Sequence, residues 1–163
     1  MLFYIKSFVL ILLLGLVTAS FALPAQIAIF PHAEKEANGP HLSAQGMHDA
    51  KALQNFILTA ENMKPDVVIA NSTPAQRALG SIETCGLISQ ALKIDLHSNF
   101  LESQYAKMIQ TVLTDPKYTD KKVLICWDSH DIQAITNLIG AKQKPSVSRL
   151  NPPGYSLGYL FKW

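Results

Sequence analysis

The sequence predicts an α/β sandwich built around a largely parallel sheet. Three observations carry this. Short apolar runs of strand length stand at Ile27–Phe30, Val67–Ala70 and Val123–Trp127. After each run, apolar residues recur at helical spacing. Between run and helix lies a polar stretch: Pro31-His32-Ala33-Glu34-Lys35, then Asn71-Ser72-Thr73-Pro74-Ala75-Gln76-Arg77, then Asp128-Ser129-His130-Asp131. Ligands of open α/β sheets bind outside the carboxyl ends of the strands. The ends carrying His32, Arg77 and His130 therefore point to one pocket.

The chain has 163 residues, of which 48% are hydrophobic and 16% charged, which suits one compact domain with a sizeable core. A formal charge of +2 and the lack of a long basic run argue against nucleic acid as a partner. The first 22 residues read as a signal peptide and residues 23–163 as the domain. Lys6 supplies a positive start, Phe8 to Val17 is an apolar stretch, and Ser20-Phe21-Ala22 offers small residues at a cleavage site. Cleavage is expected after Ala22, with Ala19 as the competing position, and export to the periplasm or out of the cell follows. The alternative, a membrane anchor, is disfavoured: the apolar run of about 15 residues is short of the ~20 that span a bilayer. No stable membrane association is expected after cleavage. No Cys lies near the cleavage site, so a lipoprotein is not expected. Export would permit a disulfide between Cys85 and Cys126. Their positions, one mid-helix and one within a strand, favour two buried free thiols.

The elements follow in order. Leu23-Pro24-Ala25 leads into the first strand, and Glu34 to His41 is a polar loop with Asn38-Gly39-Pro40 as its turn. Ser43 can cap a helix whose buried face is Gly46, Ala50, Leu53, Ile57 and Ala60, widened by Met47 and Phe56. Lys64-Pro65-Asp66 ends it and opens the second strand. Thr73 as N-cap, Pro74 at N1 and Gln76 at N3 form the pattern of a capping box, with Ala78, Ile82, Cys85 and Ile88 as the buried stripe that follows. That helix start favours an anion, and Arg77 in its first turn adds a planar charged fork.

Asp95 to Leu101 is expected as a connection. Ser103 can cap a third helix bearing Tyr105, Ile109, Val112 and Leu113, which Asp115-Pro116 ends. Asp131 can cap a fourth bearing Ile132, Ile135, Leu138 and Ile139, with Gly140 as its terminator. Lys142 to Pro153 reads as a loop and Tyr155 to Phe161 as a final strand.

With these residues in place, the sequence resembles the histidine phosphatase superfamily over essentially the whole of residues 23–163. Phe30-Pro31-His32-Ala33-Glu34-Lys35 resembles its opening Arg-His-Gly or Arg-His-Ala-Glu-Lys motif. Leu42-Ser43-Ala44-Gln45-Gly46 is similar to its Leu-Thr/Ser-x-x-Gly helix start. Ser72-Thr73-Pro74-Ala75-Gln76-Arg77-Ala78 resembles its Ser-Ser-Pro-x-x-Arg-Ala phosphate-binding turn. Leu124-Ile125-Cys126-Trp127 with Ile132-Gln133-Ala134-Ile135 is similar to one small branch. The resemblance implies a three-layer α/β/α, phosphoglycerate-mutase-like fold. It further implies phosphoryl transfer through a phosphohistidine at His32, with Arg77 and Thr73 binding the phosphoryl group of a phosphorylated small molecule or phosphate itself. It implies no metal and no organic cofactor. Glu34 and Lys35 are similar to loop residues of the family, without an implied role.

The resemblance implies a core set of two His and two Arg around the phosphoryl group, and two of these four positions depart from the family pattern. Pro31 stands where an Arg is expected, and it has neither charge nor N–H. If Trp127 and Ile132 stay aligned, Ser129 takes the place of the second His; a shift of one residue brings His130 there instead. The first register is preferred, and the two exclude each other on an extended segment. Losing one preorganised donor costs about 10²–10³ in rate. A weak phosphatase is thus expected, the alternative being an inactive relative that binds a phosphorylated ligand or a protein partner. The proton donor stays open among Glu102, Asp128 and Asp131, each of which also reads as an exposed carboxylate or helix cap. His41, His48 and His97 read as ordinary surface or loop residues.

Overall fold

The computed structural model describes residues 23–74, 78–155 and 157–163. The segment read as a signal peptide, and Gln76 and Arg77 of the second strand–helix connection, lie outside the described residues. Within them, six strands form one sheet: β1 (Gln26–Pro31), β2 (Val67–Ser72), β3 (Leu96–Leu101), β4 (Lys122–Trp127), β5 (Ser146–Leu150) and β6 (Gly158–Lys162). Their order is β3-β2-β4-β1-β6-β5. Pairings β1·β4, β2·β4 and β2·β3 are parallel, and β6 runs antiparallel to both β1 and β5. The three apolar runs thus occupy adjacent positions, with β4 between β2 and β1.

Among the described residues four helices cover the sheet: α1 (Ala44–Thr59), α2 (Gly80–Leu92), α3 (Tyr105–Thr114) and α4 (Ile132–Gln143). Strand alternation divides the core in two. Ala28, Phe30, Val68, Ala70, Leu124 and Cys126 pack with α1 and α2. Ile27, Ile29, Ile69, Val123, Ile125 and Trp127 pack with α3 and α4 on the opposite face. The architecture is the expected three-layer α/β/α sandwich with a mostly parallel sheet. No helix among the described residues is long and apolar enough to cross a membrane.

Helix α1 forms as its sequence dictates. Ser43 accepts a hydrogen bond from the Gly46 N–H, and Gly46, Ala50, Leu53 and Ile57 are its buried residues. Only glycine fits at position 46, because a Cβ there would lie 2.0 Å from the Glu34 carbonyl oxygen.

Several expectations are corrected. Helix α2 starts at Gly80, and its N-cap is Leu79, without a side-chain cap. The Thr73 hydroxyl accepts instead from the Ala78 N–H at 2.9 Å, so it does not cap α2. The segments read as a connection and a loop contain β3 and β5. Both are edge strands with little burial, so neither shows an apolar run. Ser103 sits in a 3-10 turn, and the cap position of α3 falls to Gln104. Gly140 does not end α4. A Cβ there would meet nothing, and Lys144, at φ 44°, is the left-handed residue that closes the helix. The final strand begins at Gly158 rather than Tyr155.

The cysteines are corrected too. Cys85 of α2 and Cys126 of β4 form a disulfide, with Cα atoms 5.9 Å apart and both residues fully buried. Cys126 points to the face that α2 covers, so the bond ties helix to sheet where the register brings the two together.

Candidate functional site

Strands β1 and β4 end side by side, with Pro31 opposite Trp127. The His32 N–H continues the ladder, donating to the Trp127 carbonyl at 2.9 Å. The backbone then turns, and the Ala33 N–H donates to Thr84 Oγ1 at 3.0 Å. That hydroxyl in turn donates to the Gly80 carbonyl at 2.7 Å. Thr84 is fully buried, so this link fastens the residue after His32 to the first turn of α2.

The ring of His32 is held in the same way. Its Nδ1 donates to the Ala33 carbonyl at 2.6 Å. A carbonyl only accepts, so Nδ1 carries a proton and the neutral ring keeps its lone pair on Nε2. The ring lies against Gly80: a Cβ at that position would come within 3.1 Å of His32 Cγ and Nδ1, and of Lys35 Cδ. His32 Nε2 is directed toward Asp128, 3.5 Å from Oδ2.

Asp128 is the residue that sequence reading undervalued. It is buried, at 9% exposure, rather than an exposed carboxylate. Its Oδ1 accepts from the His130 backbone N–H at 3.0 Å and from His130 Nδ1 at 2.7 Å. The bond to the N–H two residues on is an Asx turn, so the signal in Asp128-Ser129-His130 was local turn chemistry. Burial pushes the Asp128 carboxyl up, but the bonds from His130 and the nearby His32 outweigh it, and the net direction is down. The reciprocal effect raises His130: its hydrogen bond to Asp128 and the carboxylate charge favour the imidazolium.

Asp128 thus joins His32 to His130. The His130 side chain, 90% exposed, stands at the rim rather than inside an enclosed pocket. Ser129 is exposed beside it. Thr73 lies at the end of β2 with its hydroxyl engaged by Ala78. The geometry at Arg77 falls outside the described residues.

Glu102 follows the end of β3. Burial raises its pKa, and the charges of Asp128 and Asp131 raise it further, against opposing effects of Lys35 and His130. Of Glu102 and Asp128, Glu102 is therefore the carboxyl suited to hold a proton, and Asp128 the one that stays ionised. A cleft of about 470 Å³ opens alongside, lined by Pro74, Leu101, Glu102, Ser103, Tyr105 and Asp131. Another depression, near Lys64 and Lys122, lies at the opposite end of the sheet and touches none of these groups. Among the described residues, no group of His, Cys, Asp and Glu is arranged to hold a metal ion.

This geometry can be set beside known structures. A protein assigned the name phosphohistidine phosphatase SixA, from Agrobacterium tumefaciens, matches with a TM-score of 0.51 and 13% identity, over 75% of this chain and 80% of that one. The chain has the histidine phosphatase fold. A protein with the same assigned name from Nakamurella multipartitia matches less well, with a TM-score of 0.48 and 15% identity, over 68% of this chain and 62% of its own. At these identities the likeness concerns the fold alone. No protein-family model and no curated protein matches the sequence. Within this fold, the phosphoglycerate-mutase-like sandwich expected from the sequence, the apolar strands converge on His32 and Asp128.

Proposed function

We propose that the chain is a slow phosphate-monoester-directed enzyme that transfers a phosphoryl group through His32. The observation that carries this reading is the bond from His32 Nδ1 to the Ala33 carbonyl, which leaves Nε2 as the free nucleophilic nitrogen. In the first step Nε2 attacks phosphorus and the bond to the leaving oxygen breaks. The carboxyl of Glu102 gives that oxygen its proton. In the second step water attacks the phosphohistidine, the N–P bond breaks, and the Glu102 carboxylate takes the proton from water. His130, whose hydrogen bond to Asp128 favours the imidazolium, serves as a positive donor for the phosphoryl oxygens when protonated, with Ser129 beside it. Arg77 and Thr73 are assigned to phosphoryl binding from the resemblance.

Slowness follows from Pro31. Where a charged donor would sit, a proline supplies none, and a missing donor of this kind costs about 10²–10³ in rate. A second reading has its own support. The Asp128 carboxylate, 3.5 Å from His32 Nε2, opposes phosphoryl transfer to that nitrogen, which suits an inactive relative. Hydrolysis of an aryl phosphate decides between them. The enzyme reading expects weak turnover, a gain in Pro31→Arg with Ser129→His, and loss of that gain when His32→Ala is added. Zero turnover in both the wild type and the double variant would support the inactive relative.

Export with cleavage after Ala22 belongs to the same proposal. The buried Cys85–Cys126 disulfide supports it, because disulfides persist in oxidising compartments. The expected partner is a phosphorylated small molecule.

A further inference from the structure

The phosphate-monoester reading requires fixed positive charge around His32 Nε2, and the described part of the site offers little of it. His130 stands at the rim, and Asp128 adds a negative charge. Lys35 is the neglected cation. Its stem and the His32 ring lie side by side against Gly80: the same hypothetical Cβ approaches Lys35 Cδ and His32 Nδ1 at 3.1 Å each. Lys35 is half-buried, and none of the ion pairs within 4.0 Å among the described residues includes it. Its charge nevertheless reaches Glu102 across the site.

The backbone that carries Lys35 is anchored. Lys35 pairs with Leu42 as an antiparallel bridge. On either side, Ser43 N–H donates to the Glu34 carbonyl at 3.0 Å and Glu36 N–H to the His41 carbonyl at 3.0 Å. The return leg of this hairpin is fastened to α2. Glu83 accepts from the Leu42 N–H at 2.7 Å and from His41 Nδ1 at 2.5 Å, and the Leu79 N–H donates to the Pro40 carbonyl at 2.7 Å. The loop therefore presents Lys35 from a fixed backbone, which reduces the ordering cost of using it.

We propose that Lys35 is an anion-binding residue of the His32 site, with its ammonium group holding a phosphoryl oxygen of the substrate. This rests on the phosphate-directed reading above. It assigns the positive charge near His32 to the loop after β1, with the lysine reaching the site along Gly80. An ammonium is a point-charge donor without the planar fork of a guanidinium, so it binds phosphate without fixing its rotation.

The test is calorimetric titration with inorganic phosphate at fixed ionic strength. It uses the wild type, Lys35→Met, Lys35→Arg and the distant control Lys64→Met, with the thermal midpoint of each. Lys35→Met should weaken binding by about tenfold or more, the range for a lost hydrogen bond to a charged group. Its midpoint should stay at the wild-type value. Lys35→Arg should retain most of the affinity, and Lys64→Met all of it. If the wild type binds phosphate and Lys35→Met binds it equally well, the assignment of Lys35 is overturned while the phosphate reading stands. Equal losses in Lys35→Met and Lys35→Arg would also overturn it, since packing on Gly80 rather than charge would then be at work. A wild type that binds no phosphate removes both the assignment and the reading beneath it.

Discussion

Asp128 accepts two hydrogen bonds from His130 through one carboxylate oxygen, from the backbone N–H at 3.0 Å and the ring Nδ1 at 2.7 Å. The other oxygen faces His32 Nε2 at 3.5 Å. One buried carboxylate therefore sets the position and charge of one histidine and borders the reactive nitrogen of the other.

This arrangement predicts a pH dependence. The folded-state pKa of His130 is raised above its ordinary 6.5, so its pairing with Asp128 is fully present below 6.5 and is lost as pH rises through the raised value. Asp128 is held below its ordinary 3.8, so its contribution is present above 3.8 and is lost as pH falls through the lowered value. In an NMR titration the His130 midpoint should lie above 6.5 and fall toward it in Asp128→Asn. Phosphate affinity should decline across the same upward window. A His130 midpoint unmoved by Asp128→Asn would break the link between the two residues.

The disulfide should matter for stability. Cys85 and Cys126 are 41 residues apart in sequence. Closing a loop of that length removes enough unfolded-state entropy to contribute about 4 kcal/mol in the chain-entropy model. Urea unfolding of the Cys85→Ala/Cys126→Ala variant should show a loss of about 2–4 kcal/mol. An unchanged midpoint would mean that the bond adds nothing to the packing of α2 on β4.

Gly80→Ala should separate stability from function. Alanine at a helical position is worth up to about 1 kcal/mol over glycine, so thermal stability should hold or rise. The new Cβ, 3.1 Å from His32 Cγ and Nδ1, must push the ring or Lys35 aside by a few tenths of an ångström. Turnover should drop about tenfold, since small displacements at a reacting group are costly. Full turnover in this variant would show that the His32 ring is free to move without penalty.

The legible parts of the fold are those where burial writes a pattern. β1, β2 and β4 lie in the middle of the sheet and read as apolar runs, and α1 shows its buried face at steps of four and three. β3 and β5 are edge strands with polar, half-exposed residues such as His97, Ser98 and Arg149, so no run marks them. Thr73 does not cap α2, which starts only at Gly80; its hydroxyl bonds the Ala78 N–H instead. The cysteine pairing was not readable, because it depends on which face of β4 Cys126 occupies and on where α2 crosses it. At the site, His32 was visible as a lone histidine at a strand end. The burial of Asp128 was not, since a carboxylate after a strand is more often exposed than shared between two rings.

The central claim is that His32 Nε2 carries the phosphoryl group, and trapping that intermediate tests it most directly. The wild type should be mixed with an excess of aryl phosphate, quenched at alkaline pH to preserve phosphohistidine, and mapped by peptide mass spectrometry. The account predicts a phosphoryl adduct on the peptide containing His32, absent in His32→Ala together with all turnover. Undiminished hydrolysis by His32→Ala, with no adduct on the wild-type peptide, would contradict it.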